Sequence, residues 1–138
     1  MDTHLQLQVR NELTELPRVQ RRLHDFFEQQ QLSAAVRYAL ELSVEELLTN
    51  LIHHGYRGEG RAAIRLQIER QDQQVELILK DDAPAFNPLE IPPPNLSSPL
   101  SERPVGGLGL HLIRELMDEI DYQYDEHYNC ITLRKYLT

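Results

Sequence analysis

Residues 41–56 read ELSVEELLTNLIHHGY. Counting from Leu40, the residues Val44, Leu47, Leu48 and Leu51 fall at i+4, i+7, i+8 and i+11, the apolar stripe of an amphipathic helix. A second face carries Glu46 and Asn50 one turn apart, and His53 and His54 follow about one turn further on. A carboxylate, an amide and an imidazole along one wall are the parts of a site that binds a metal and moves a proton. On this stretch alone, a solvated polar face is the commoner reading. Gly55 is expected to end the helix, because glycine takes the left-handed conformation there at least cost. His53 is expected to be a half-exposed neighbour.

On the N-terminal side, Ser33 is placed to cap this helix. Leu16, Val19, Leu23, Phe26 and Phe27 have helical spacing with Pro17 in the first turn, which predicts a first helix over 16–30. HLQLQVR at 4–10 alternates Leu5, Leu7 and Val9 with polar neighbours, as a half-buried strand does. On the C-terminal side, residues 56–60 read as a loop. Ile64, Leu66 and Ile68 alternate, as do Val75, Leu77 and Leu79, with a hairpin turn at Gln71-Asp72-Gln73 between them. The second of these strands ends at Asp81-Asp82.

Most of the prolines lie between 83 and 105. Proline neither donates to a ladder nor continues a helix, and a loop this long in a small domain is commonly a lid. Glu90 to Val105 is read as a short, Pro-rich lid. Gly106-Gly107-Leu108-Gly109-Leu110 then opens a third helix with Leu112, Ile113, Leu116 and Met117 as its apolar face. Strands are expected at 120–126 and 129–136, with a turn at His127-Tyr128. The order β-α-α-β-β-loop-α-β-β predicts an α+β two-layer sandwich in which helices cover one face of a mixed, mostly antiparallel sheet.

The 138 residues suit one domain over 1–138 with its own core. A formal net charge of −8 argues against nucleic acid as a partner. It leaves room for an acidic cofactor held by backbone dipoles. No run reaches the ~18 apolar residues of a membrane helix. The opening MDTHLQLQVRNEL has neither the basic start nor the apolar core of a signal peptide. A single Cys fits a reducing, cytoplasmic setting. Cys130 alternates with Ile131 and reads as a packed small hydrophobe. One Cys and scattered His argue against a structural zinc site.

Two further segments add chemistry to the Glu46/Asn50 helix. In DDAPAFNP, residues 81–88, a carboxylate just beyond a strand end is placed to accept from an exocyclic amine such as that of adenine. The plainer reading is an Asp that starts a turn. Glycines at 106, 107 and 109 before a helix let backbone approach a ligand, and the helix N-terminus offers N–H groups to phosphates. The plainer reading is a loop needing positive φ. No Lys-Ser/Thr follows the glycines and the third Gly of GxGxxG is absent, which sets aside the P-loop and the dinucleotide fingerprint.

In this order the three segments resemble the Bergerat-fold ATP-binding family, which includes gyrase B and the histidine kinases. The likeness is strongest to its small anti-sigma-factor serine kinases of the RsbW type. Glu46, Asn50, His54, Gly55 and Tyr56 look like the N-box. DDAPAFNP looks like the first glycine box, and GGLGLHLIRELMDEIDYQY with Asn129 and ITLRK looks like the second glycine box and last strands. The resemblance covers about residues 5–137. It implies ATP and Mg²⁺ as cofactors, Asn50 as Mg²⁺ ligand and Glu46 as general base toward a Ser or Thr hydroxyl. It implies Asp81 at the adenine amine, Gly107 and Gly109 at the phosphates and Arg103 near the γ-phosphate. His54, Ala83, Phe86, Gly106, Leu108 and Leu110 complete the implied nucleotide-binding set.

The partners implied are an anti-anti-sigma protein of STAS type and a sigma factor or equivalent target. A homodimer is also implied, and the Leu5/Leu7/Val9 strand, read as lying near an edge, is the element expected to be able to pair across a two-fold axis. The pattern departs at Ala83, where the family has Gly; if that position needs positive φ, Ala costs on the order of 1 kcal/mol. An alternative is a non-catalytic regulator that only sequesters a partner. A histidine-kinase-like domain ranks last, because His24 sits on one helix where a helical hairpin is needed.

Overall fold

The computed structural model describes residues 2–56, 64–87, 89 and 107–137. Strand β1 (His4–Val9) leads through a 3-10 turn (Leu13–Glu15) into helix α1 (Leu16–Gln29) and helix α2 (Ala34–Asn50). A wider, π-helical turn (Leu51–Gly55) extends α2. The hairpin of β2 (Ile64–Arg70) and β3 (Gln74–Asp81) follows. Helix α3 (Gly107–Leu116) then precedes β4 (Glu119–Asp125) and β5 (Tyr128–Tyr136).

The described strands form one sheet in the order β1-β2-β3-β5-β4. Every pairing among them is antiparallel, so the parallel component of a mixed sheet is not found there. A register row of Leu7, Leu66, Leu79, Ile131 and Tyr122 crosses all five strands. Because strand side chains alternate in direction, this row and its neighbours face one way. That face meets Val19, Leu23 and Phe27 of α1, Leu40, Val44 and Leu48 of α2, and Ile113 of α3 in a single buried cluster. Each such fully buried aliphatic side chain contributes about 1.5–3 kcal/mol.

Local chemistry fixes the helix ends. The hydroxyl of Ser33 accepts from the Val36 N–H at 3.3 Å, as expected of the α2 cap. The end of α1 is a Schellman turn: Leu32 N–H reaches Phe27 O at 3.2 Å, Gln31 N–H reaches Glu28 O at 3.0 Å, and Gln31 adopts φ 55°. Between β1 and α1, buried Glu15 accepts from Arg10 N–H and from both Nε and Nη2 of Arg18, each at 3.0 Å. Those partners hold its carboxyl well below the usual range, at about 2.

Several expectations shift. Strand β4 starts one residue earlier than expected, and the β4–β5 turn falls at Glu126 and His127, both at positive φ. On α3 the buried residues are Leu110, Ile113 and Met117 beside it, while Leu112 is exposed, because the helix opens at Gly107 and its core-facing stripe runs one step earlier. Cys130 alternates with buried Ile131, but lies half-buried on the uncovered sheet face. The expected loop at 57–60 and the lid at 90–105 lie outside the described residues.

Candidate nucleotide and phosphoryl-transfer site

Glu46 and Asn50 lie on one face of α2, and both are half-buried. The Asn50 amide Nδ2 donates to the backbone carbonyl of Glu46 at 2.8 Å. That bond fixes the amide's orientation and turns Oδ1 away as an acceptor. The Glu46 carboxyl is raised above its ordinary value by burial and, second, by neighbouring Glu45. It is thus a stronger base than a fully solvated glutamate.

Gly55 does not end the helix in the left-handed conformation. It belongs to the π-helical turn, which closes when Tyr56 N–H donates to Leu51 O at 2.9 Å. The space beside it is narrow: an added Cβ would meet Leu51 Cδ1 at 2.9 Å, which that side chain could relieve by turning, and Ala83 Cβ at 3.5 Å, an ordinary contact. His53 is exposed, as expected.

Asp81 ends β3 and is only 2% exposed. Burial, the largest influence, raises its carboxyl, while hydrogen bonds from Asn129 and Ala83 pull the other way. Both of these bonds fall on Oδ1, from Asn129 Nδ2 at 2.9 Å and Ala83 N–H at 3.0 Å. Neither of these bonds uses Oδ2. An uncharged amine donor arriving there would meet a carboxylate whose desolvation is already built into the fold.

Asn129 organises this corner, a part that sequence reasoning assigned to no one. It pairs with Asp81 in the β3–β5 register and is 3% exposed. Its Nδ2 also serves Ala83 O at 3.0 Å and Pro84 O at 3.2 Å. Its Oδ1 accepts from Phe86 N–H at 3.0 Å and from the Tyr122 hydroxyl. Phe86 N–H also reaches the Tyr122 hydroxyl at 3.2 Å, and the Phe86 ring is exposed. The resemblance of the last strands names Asn129 without giving it this part; the signal for the part itself was a polar residue opposite Asp81 once the two strands are paired.

Ala83 is buried, and it is absent from the positive-φ residues other than glycine, which among the described residues are Gln31, Glu126 and His127. The cost expected if that position needed positive φ therefore does not arise. Gly107 and Gly109 supply backbone to the first turn of α3. Leu47 of α2 and Leu110 of α3 line one small crevice, which sets that turn beside the Glu46/Asn50 turn. The side chain of Leu110 is packed in the core, so only its backbone would be available to a ligand. Arg103 and Gly106 lie outside the described residues, as do the side chains of His54 and Leu108.

The family model for the histidine kinase-like ATPase domain matches residues 9–135. The chain belongs to that family. Within it, a serine/threonine-protein kinase, BtrW of Bordetella bronchiseptica, is 33% identical over 101 residues, covering 73% of this chain and 71% of that one. The serine-protein kinase RsbW of Listeria innocua is 29% identical over 102 residues, covering 71% of this chain and 64% of that one. Among solved structures, the RsbU and RsbW domains of a Mycobacterium tuberculosis protein align with TM-score 0.69 at 14% identity, over 97% of this chain and 32% of that one. This ATPase family thus joins the expected architecture to relatives named as serine kinases.

The residues present fit Mg-ATP. Asn50 Oδ1, left free by the Nδ2 bond to Glu46 O, is a hard oxygen of the kind that would suit Mg²⁺, which takes few protein ligands and keeps its waters. The start of α3 offers N–H groups to phosphates, and Asp81 offers a buried acceptor to the base.

Proposed function

We propose that this domain is an ATP-dependent serine/threonine protein kinase acting as an anti-sigma regulatory factor. Its substrate in this reading is a small anti-anti-sigma antagonist of STAS type. Phosphorylation releases the antagonist and frees the domain to hold a sigma factor or an equivalent target. The observation that carries the proposal is the α2 turn. Asn50, tied to Glu46 O by Nδ2, presents Oδ1 on the same face as a carboxyl whose basicity burial has raised.

Mg-ATP, when bound, supplies the electrophilic γ-phosphoryl group and the charge that offsets it. Glu46 would take the proton of a Ser or Thr hydroxyl whose oxygen attacks the γ-phosphorus of bound ATP, with ADP as the leaving group that keeps the electron pair of the broken P–O bond. Asn50 would hold the metal, the α3 N-terminus would hold phosphate charge, and Asp81 would orient the base. Positioning and charge neutralisation are most of what phosphoryl transfer requires. The alternative is a non-catalytic regulator that sequesters a partner with or without ATP; of the features that motivate it, strain at Ala83 is removed by the unstrained backbone there.

We place the domain in the cytoplasm, acting away from nucleic acid and membrane. No described helix is long and apolar enough to cross a membrane. The edge position of β1 supports pairing with a second copy. The decisive measurement is thermal unfolding with and without Mg-ATP, for the parent and Asn50→Ala. At ~100 times Kd the ligand adds roughly 2.7 kcal/mol, or about 9 °C in a domain of this length. A Mg-dependent rise that Asn50→Ala removes supports the site; no rise in the parent overturns it.

A further inference from the structure

The hydroxyl of Tyr56 stands at the joint between the two halves of the site. Its ring is buried at 8% exposure. The hydroxyl donates to Oδ1 of Asp82 and accepts from the Asp82 backbone N–H at 3.1 Å. Asp82 directly follows Asp81, and Tyr56 directly follows the turn that closes the Glu46/Asn50 helix. Gly55 lies beside the same strand end: a Cβ built on it would stand 3.5 Å from Ala83 Cβ. Asn129 fixes Asp81 from the sheet side, and the Tyr56–Asp82 pair fixes the neighbouring residue from the helix side. Burial, with the Asp82 carboxylate, pushes the phenol up, so the hydroxyl stays a donor at neutral pH.

We propose that Tyr56 is a positioning residue for the nucleotide. Acting through Asp82, it sets where the Asp81 carboxylate stands relative to Asn50 and Glu46. Base recognition and phosphate binding are then held in one geometry. The inference rests on the ATP reading above. A ligand that spans two elements gains affinity when their spacing is set before it arrives. A base reader that shifts loses discrimination first, because its hydrogen bond depends on distance and angle.

The test is titration calorimetry with Mg-ATP and Mg-GTP on the parent, Tyr56→Phe, Asp82→Ala, Asp82→Asn and the Tyr56→Phe/Asp82→Ala double variant. Phe keeps the ring and removes only the hydroxyl. Tyr56→Phe and Asp82→Ala should each weaken Mg-ATP about tenfold, the weight of one buried hydrogen bond, and change Mg-GTP little. The double variant should be no weaker than Tyr56→Phe alone. Asp82→Asn, which still accepts the phenolic proton, should keep most of the affinity. A purely structural tyrosine would lower the melting temperature and leave the ATP-to-GTP ratio unchanged. An unchanged ratio in folded Tyr56→Phe overturns the inference alone, as does full additivity in the double variant. If Tyr56→Phe does not fold, the contrast between Asp82→Ala and Asp82→Asn decides. A parent that binds no Mg-ATP overturns both this inference and the nucleotide reading.

Discussion

Asp81 and Asn129 face each other across the β3–β5 ladder, and the Asn129 amide donates to the Asp81 carboxylate at 2.9 Å. The carboxylate is nonetheless raised, because burial outweighs the two bonds it receives. A folded value above the unfolded one means that this residue's stability contribution is full below the unfolded value. It is lost as pH rises through the folded one. Asp81→Asn keeps the shape and the acceptor but drops the charge. Its unfolding midpoint at pH 7 should equal or exceed the parent's, while Mg-ATP should no longer raise it. A calorimetric scan of both proteins checks the pair of outcomes, and a nucleotide-dependent rise in the variant would exclude Asp81 as base reader.

Ala83 offers a second contrast. Its backbone is unstrained and its methyl is buried against the Gly55 turn. Ala83→Gly should therefore cost about 1 kcal/mol through the more flexible unfolded chain. It should not tighten Mg-ATP binding. Tighter binding in the glycine variant would mean that the alanine does hold the loop off its ligand.

Glu46 must be ionised to accept a proton, and burial raises its value above the ordinary carboxylate range. The rate of phosphate transfer should rise with pH through that raised value, so the acid limb of kcat/KM should lie above pH 4.5. Glu46→Gln should lower kcat by about 10²–10⁴-fold with Mg-ATP affinity retained. Transfer at the parental rate in Glu46→Gln would remove the base from the mechanism.

The fold was legible where burial alternates with a period the residues themselves display. Leu5/Leu7/Val9, Ile64/Leu66/Ile68 and Val75/Leu77/Leu79 can face a core only as strands, and the α2 stripe only as a helix. The Leu112 face failed because apolar residues at 108, 110, 112 and 113 allow more than one stripe; the point where the helix opens selects among them. At the site, Glu46, Asn50 and Asp81 stand out in the sequence because each sits within a local pattern. Asn129 stands out only as part of the last-strand resemblance, and its hydrogen-bonding role was not readable because its partners lie up to 48 residues away. Gly55 misled for a different reason: glycine reads the same whether the chain needs positive φ or room for a neighbour.

Glu15 ties β1 to α1 with a carboxyl depressed to about 2. A depressed value contributes stability that is present above the unfolded value and lost as pH falls through the folded one. The parent should lose this contribution between about pH 4.5 and 2. Glu15→Gln should be less stable at pH 7 by on the order of 2 kcal/mol, with the gap closing over that window. Urea melts at several pH values measure it; a gap constant with pH would assign the loss to packing rather than charge.

Gln31 and His127 hold φ of 55° and 84° at the end of α1 and in the β4–β5 turn. Gln31→Gly and His127→Gly should each stabilise the domain by about 1 kcal/mol, since glycine meets no Cβ penalty there. Denaturant midpoints at unchanged slope would register the gain; a loss at either position would mean that its side chain outweighs the strain.

The π-helical turn at Leu51–Gly55 acts as a phase shifter. One extra residue in a single turn lets the chain leave α2 at an angle that an unbroken helix would not reach. Removing one residue there would wind the turn back to regular α geometry and change the point and direction in which the chain leaves α2. The hydroxyl of Tyr56 would swing off Asp82, while the helix carrying Glu46 and Asn50 would stay where it is. The length of this turn is thus a setting as specific as any side chain, and a homologue one residue shorter there must close its site by other means.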